Sequence, residues 1–125
     1  MDTSVKKTLA SDPDGLITYE YIANNIDRLE PGDMQALIDN MVAVALCGQF
    51  CVSAARFLGA IDRTLYDAEI RRLMAAAIEK DRERAYIGYL LPDFWGPDYA
   101  EHAAELSAAD DHFRRIYKRL YPTGM

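Results

Sequence analysis

Apolar residues recur along most of this chain at intervals of three and four, the spacing that gathers side chains onto one face of an α-helix. Tyr19, Ile22, Ile26 and Leu29 form the first such stripe, with Glu20, Asn24, Asn25, Asp27 and Arg28 on the other faces. They predict a helix that starts near Leu16 and ends before Pro31-Gly32. The run Ile17-Thr18-Tyr19-Glu20-Tyr21 also alternates like a strand, but no second strand pattern exists to pair with it, so the helix is favoured. Asp33 is placed as the N-cap of a second helix whose apolar face begins Met34, Leu37, Ile38, Met41 and Ala45. That face merges into the almost wholly apolar stretch 41–52. One helix over 34–61 would be about 42 Å long, whereas a compact globule of this size is about 35 Å across. A break at Gly48 is therefore expected. The alternative is an elongated bundle in which Gly48, Val52, Ala55 and Gly59 form a small-residue stripe that lets a neighbouring helix approach closely.

Asp67 is expected to cap a third helix running through Ile70, Leu73, Met74, Ala77 and Ile78 to Leu91, where Pro92 ends it. Residues 92–98 then read as a rigid turn. The last helix carries Tyr99, Ala103, Leu106, Phe113, Tyr117 and Leu120 and stops at Pro122, with Ser107 and Asp110 as a capping box that would split it. Residues 1–14 lack apolar periodicity and end in the turn-forming Asp12-Pro13-Asp14-Gly15, so they are expected to be a mobile N-terminal tail. The expected architecture is all-α: one domain over residues 15–125, a compact bundle of four to five amphipathic helices, mainly antiparallel.

Composition narrows the partners more than the fold. Half of the 125 residues are apolar, enough for one core without metals or disulfides. No stretch approaches the roughly 18 apolar residues of a membrane span. Cys47 and Cys51 stand four apart in an apolar run, on one helix face but poorly oriented for a disulfide. They read as small buried hydrophobes in a reducing, cytoplasmic setting. Fourteen basic and twenty acidic side chains leave a net charge of -6, which argues against nucleic acid or a membrane surface as partner. Residues 1–62 carry -5 of it, residues 63–125 only -1.

The charge run 79–84, Glu-Lys-Asp-Arg-Glu-Arg, is the most unusual feature, since six helical residues sweep about 600°. Such runs are usually solvated faces, here with pairs Glu79–Arg82 and Asp81–Arg84. The sharper expectation follows the stripe Ile70, Met74, Ala77, which steps onto Asp81 and turns it inward. A buried carboxylate calls for a cation, and Arg56 stands alone among apolar residues of stretch 54–60. Arg56, Asp81 and Arg84 are thus the candidate buried polar pair or pocket.

Tyr86, Tyr89, Phe94, Trp95 and Tyr99 cluster around the third turn and form the candidate interaction surface. The competing, commoner arrangement folds Phe94 and Trp95 back as a lid over the bundle end. No metal is expected. His102 and His112 stand about 15 Å apart along a straight helix, and Glu-x-x-His pairs of the di-iron type are absent. Arg114, Arg115, Lys118 and Arg119 make a basic strip that suits the negative end of a helix dipole. A helix-turn-helix template fails because the second helix is acidic and apolar. There is no glycine-rich phosphate loop, no Gly-x-Ser-x-Gly elbow and no Cys-x-x-Cys pair. No cofactor is expected. The leading expectation is a non-enzymatic interaction or regulatory module that meets a protein partner or a second copy of itself. The alternative is a ligand-binding or enzymatic domain built around Arg56, Asp81 and Arg84.

Overall fold

The computed structural model describes residues 1–122, and over them the fold is all-helical, with no strand. Eight α-helices follow in order: α1 Thr3–Ala10, α2 Leu16–Asn25, α3 Pro31–Val44, α4 Gln49–Asp62, α5 Asp67–Lys80, α6 Leu90–Trp95, α7 Ala103–Ala109 and α8 Asp111–Leu120. Two 3₁₀ turns, Ile87–Tyr89 and Tyr99–His102, lead into α6 and α7. None of these helices is long and apolar enough to cross a membrane. The count exceeds the four to five stretches read from periodicity because three long stretches are each broken in two and α1 lies where no apolar period marks it.

The second stretch breaks at Gly48. α3 ends at Val44, and Gly48 takes a left-handed conformation (φ 83°) as the residue before α4. A Cβ there would also meet the Ala77 backbone at 3.2 Å, so the position demands glycine twice over. The elongated single helix of the alternative is not formed, although Val52 and Ala55 of its small-residue stripe are buried. α4 presents Cys51, Ala54, Ala55 and Leu58, all fully buried, and makes its most extensive packing with α5. At Gly59 a Cβ would sit 2.8 Å from the Phe94 ring, which therefore lies directly on the α4 backbone.

α3 starts earlier than the Asp33 cap implied, with Glu30 at the N-cap and Pro31 in the first turn. Asp67 opens α5 as its first helical residue, behind Tyr66 at the cap. The last stretch does split, but not through a Ser107 capping box: Ser107 lies inside α7, and Asp110 is itself the N-cap, accepting hydrogen bonds from the amides of His112 and Phe113 to start α8. Pro92 does not terminate a helix but sits inside α6, where an early position needs no amide donor.

Residues 3–10, within the segment expected to be a tail, form α1. Only Leu9 of this helix is buried, against α3, which is why the segment shows no apolar period. The core runs from Ile22 through Leu37, Ile38 and Met41 to Leu58, Leu73, Ile87, Leu90, Leu91, Phe113 and Ile116, each with no exposed surface.

Candidate functional site

Asp81 is where the third predicted helix fails. α5 ends at Lys80, and the Asp81 carboxylate, 1% exposed, accepts hydrogen bonds from the amides of Ala85 (3.0 Å), Tyr86 (2.7 Å) and Ile87 (2.8 Å). Three main-chain donors offset the desolvation that a cation was expected to relieve. The loop this closes holds Arg84 at φ 58°, the positive φ of a non-glycine residue among the described residues. Cations serve the junction through carbonyls. Arg119 of α8 donates to the main-chain oxygens of Ile78 and, at 2.8 Å, Asp81, satisfying the end of α5. Lys80 likewise donates to Val42 and, at 2.8 Å, Ala45, satisfying the end of α3. Arg84 donates to the Arg119 carbonyl at 3.2 Å. The charge run is therefore neither a continuous helical face nor half of an Arg56–Asp81 pair; it is a junction that binds the C-terminal ends of three helices.

Arg56 lies elsewhere. On the outer side of α4 it forms an ion pair with Asp93 of α6 and places its guanidinium 5.3 Å from the centre of the Tyr89 ring. Its side chain is 45% exposed, that of Asp93 38%, and Tyr89 56%. Two turns further, at the C-cap of α4, Arg63 lies over the Phe94 ring at 5.0 Å and donates to the Phe94 carbonyl. Arg56 thus stands apart from Asp81 and Arg84, which meet at the junction through Arg119 and through the Arg84 amide on the Asp81 carbonyl (3.1 Å).

The aromatic cluster divides between the two arrangements considered. Phe94 is buried at 5% exposure, and Trp95 packs edge-on against Phe113 at 5.4 Å while its ring N–H points to Asp110 at 3.3 Å. Tyr99 packs on Phe113 and Tyr117 and meets the Tyr121 hydroxyl at 3.2 Å; that hydrogen bond, with burial, pushes its phenol up to about 12. Tyr86 is half-buried against the core. Of the five candidates, Tyr89 alone stands outward.

Sequence reasoning missed a second buried carboxylate. Asp12, 5% exposed, accepts from the amides of Asp14 (3.2 Å), Gly15 (2.9 Å) and Thr18 (2.7 Å) and from the Thr18 hydroxyl (2.7 Å). Burial pushes its carboxyl up, but these donors outweigh burial and hold it below the ordinary 3.8. Asn40 of α3 ties the same turn down through Thr18 (2.9 Å) and the Leu9 carbonyl (2.8 Å). The signal was present in Asp-Pro-Asp-Gly followed by Thr18, a turn whose first aspartate can reach forward to amides.

Of the two cysteines, Cys51 is buried and burial pushes its thiol up to about 11, but Cys47 is exposed in the loop before Gly48, not a core residue. Among the described residues, Asp98, Glu101 and His102 bring ligand atoms within 4.8 Å of one another. All three are exposed, and His102 meets Asp98 at 3.2 Å as an ordinary i,i+4 surface pair. A groove of about 220 Å³ lies between the turns that follow α2 and α4, with Leu29, Pro31, Met34 and Leu65 in its lining and Glu30 and Glu69 beside them.

No family model, no curated protein and no solved structure matches this chain. The reading of its function therefore rests on the sites just described.

Proposed function

We propose that the chain is a protein-interaction module whose contact surface is the α4–α6 face around Arg56, Tyr89 and Asp93. The carrying observation is the exposed Arg56 guanidinium, held by Asp93 and laid 5.3 Å over the Tyr89 ring. Arginine and tyrosine are the residue types that most often dominate interface energetics. Fixing both rotamers in the free protein lowers the ordering cost of association. Next to Asp93 in the chain, Phe94 seats on Gly59 and so packs α6 closely on α4. The partner is a second copy of the chain or another protein with a complementary acceptor for the guanidinium.

Sedimentation velocity over a concentration series tests the first case. A dimer that forms in the native protein and is lost in Tyr89→Ala and Arg56→Glu supports self-association through this face. For the second case, a photo-crosslinking residue at position 89 should give a discrete adduct that unlabelled native protein competes away and Arg56→Glu protein does not. A monomer at every concentration, together with no competable adduct, contradicts the proposal.

A further inference from the structure

The C-terminal helix makes a second surface of opposite character to the acidic chain around it. Residues 111–122 contain Arg114, Arg115, Lys118 and Arg119 against one acid, Asp111. The four cations line a single concavity of about 290 Å³ floored by Ile78 of α5. Helix geometry stacks Arg114 on Lys118 and Arg115 on Arg119, each pair about 6 Å apart along the axis, so two rows of charge face one space.

The two edges of this space are fixed, and the acid that acts on its middle, Asp111, is already held by Arg114. Arg119 is anchored by the Ile78 and Asp81 carbonyls, and Arg114 by Asp111. Carbonyl contacts leave the charge of Arg119 intact. The side chains of Arg115 and Lys118 make no ion pair or hydrogen bond among the described residues, although Arg115 is half-buried and feels only the longer-range attraction of Asp111. Dipole complementarity explains cations in the last turn, but not why Arg115 and Arg114, nearer the start of a ten-residue helix, join them in one concavity. Like charges packed at i,i+4 repel, and a bound anion is what converts that repulsion into attraction. A guanidinium presents a planar fork that takes two oxygens at once, and an ammonium adds a mobile donor, the combination suited to a tetrahedral oxyanion.

We infer that the concavity between α5 and α8 binds a phosphate group, with Arg115 and Lys118 as its direct ligands and Arg114 and Arg119 as the charged rim. The site is separate from the α4–α6 face and does not depend on it.

Titration of the full chain with inorganic phosphate and pyrophosphate, at constant ionic strength and followed by backbone amide shifts, tests this directly. The expected result is saturable movement of residues 114–119, with affinity reduced at least about tenfold in the Arg115→Gln/Lys118→Gln variant, each ligand being a charge-assisted hydrogen-bond donor. Arg115→Lys should retain part of the affinity, since it keeps the charge and loses the fork. Unchanged circular dichroism of these variants separates lost binding from lost fold. Flotation with phosphatidylcholine vesicles, with and without phosphatidic acid, distinguishes the source: binding that needs phosphatidic acid assigns a lipid headgroup, and phosphate binding without flotation assigns a small soluble phosphate. Absence of saturable shifts together with absence of flotation, or equal affinity in native and double-variant protein, would overturn the inference.

Discussion

Two charged constellations in this molecule look alike in the sequence and do opposite things in the fold. At the end of α5, Asp81 is buried and spends both carboxylate oxygens on main-chain amides. On the α4–α6 face, Asp93 is exposed and spends its charge on Arg56, which in turn covers Tyr89. The first holds helices together; the second holds two recognition side chains in place. The difference lies in solvent. A carboxylate removed from water must have its oxygens filled wherever donors exist, so the chain bends to supply amides. A carboxylate left in water gains little stability from a cation but can still fix its position.

The largest effect should come from Asp81→Ala. It leaves three amides without their acceptor at a buried junction, and a loss of about 3 kcal/mol in unfolding free energy is expected from chemical denaturation. Asp81→Asn, which keeps an acceptor oxygen, should lose less. Arg119→Ala removes the donor to the Ile78 and Asp81 carbonyls and is expected to cost about 1.5 kcal/mol in the same assay. A cost near that of Asp81→Ala would mean that the junction depends on the cation, contrary to the separation drawn above.

Acid provides a smaller, graded perturbation. Burial, more than the charges around it, holds the His112 ring below its ordinary 6.5, so the folded chain binds fewer protons than the unfolded one. Stability from this group is present above pH 6.5 and is lost as pH falls through that value toward the folded pKa. Asp12, also held below its ordinary 3.8, adds a second loss that begins only as pH falls through 3.8. Denaturation midpoints measured against pH should show both steps, with the first abolished in His112→Gln and the second in Asp12→Asn. The smallest stability change belongs to the exposed face. Arg56→Ala should shift unfolding by no more than about 0.5 kcal/mol, as surface pairs do, while abolishing association through Tyr89.

The sequence made the all-helical class legible because periodicity was strong in every long stretch, and it made the Gly48 and Asp110 breaks legible because glycine and a capping aspartate act on their immediate neighbours. It also pointed Asp81 inward from the stripe Ile70, Met74, Ala77. What it did not carry was the partner. Amide donors are present at nearly every residue and leave no composition signal, whereas Arg56 stands out in the sequence as a cation among apolar neighbours. α1 escaped notice for a related reason: one buried leucine makes no period. The pairing of Arg56 with Asp93, thirty-seven residues away, depends on how α6 crosses α4. So does the division of the aromatic cluster into a packed Phe94 and Trp95 and an outward Tyr89. Local pattern holds no information on such crossings, and the apolar run around Cys47 conceals the turn that exposes it.

The separation of the two constellations is tested most directly by a double-mutant cycle on Arg56→Ala and Asp81→Ala, read as unfolding free energy. The two changes should add to within about 0.3 kcal/mol, because the residues share no partner. A coupling of about 1 kcal/mol or more would place Arg56 and Asp81 in one interacting pair and contradict the account.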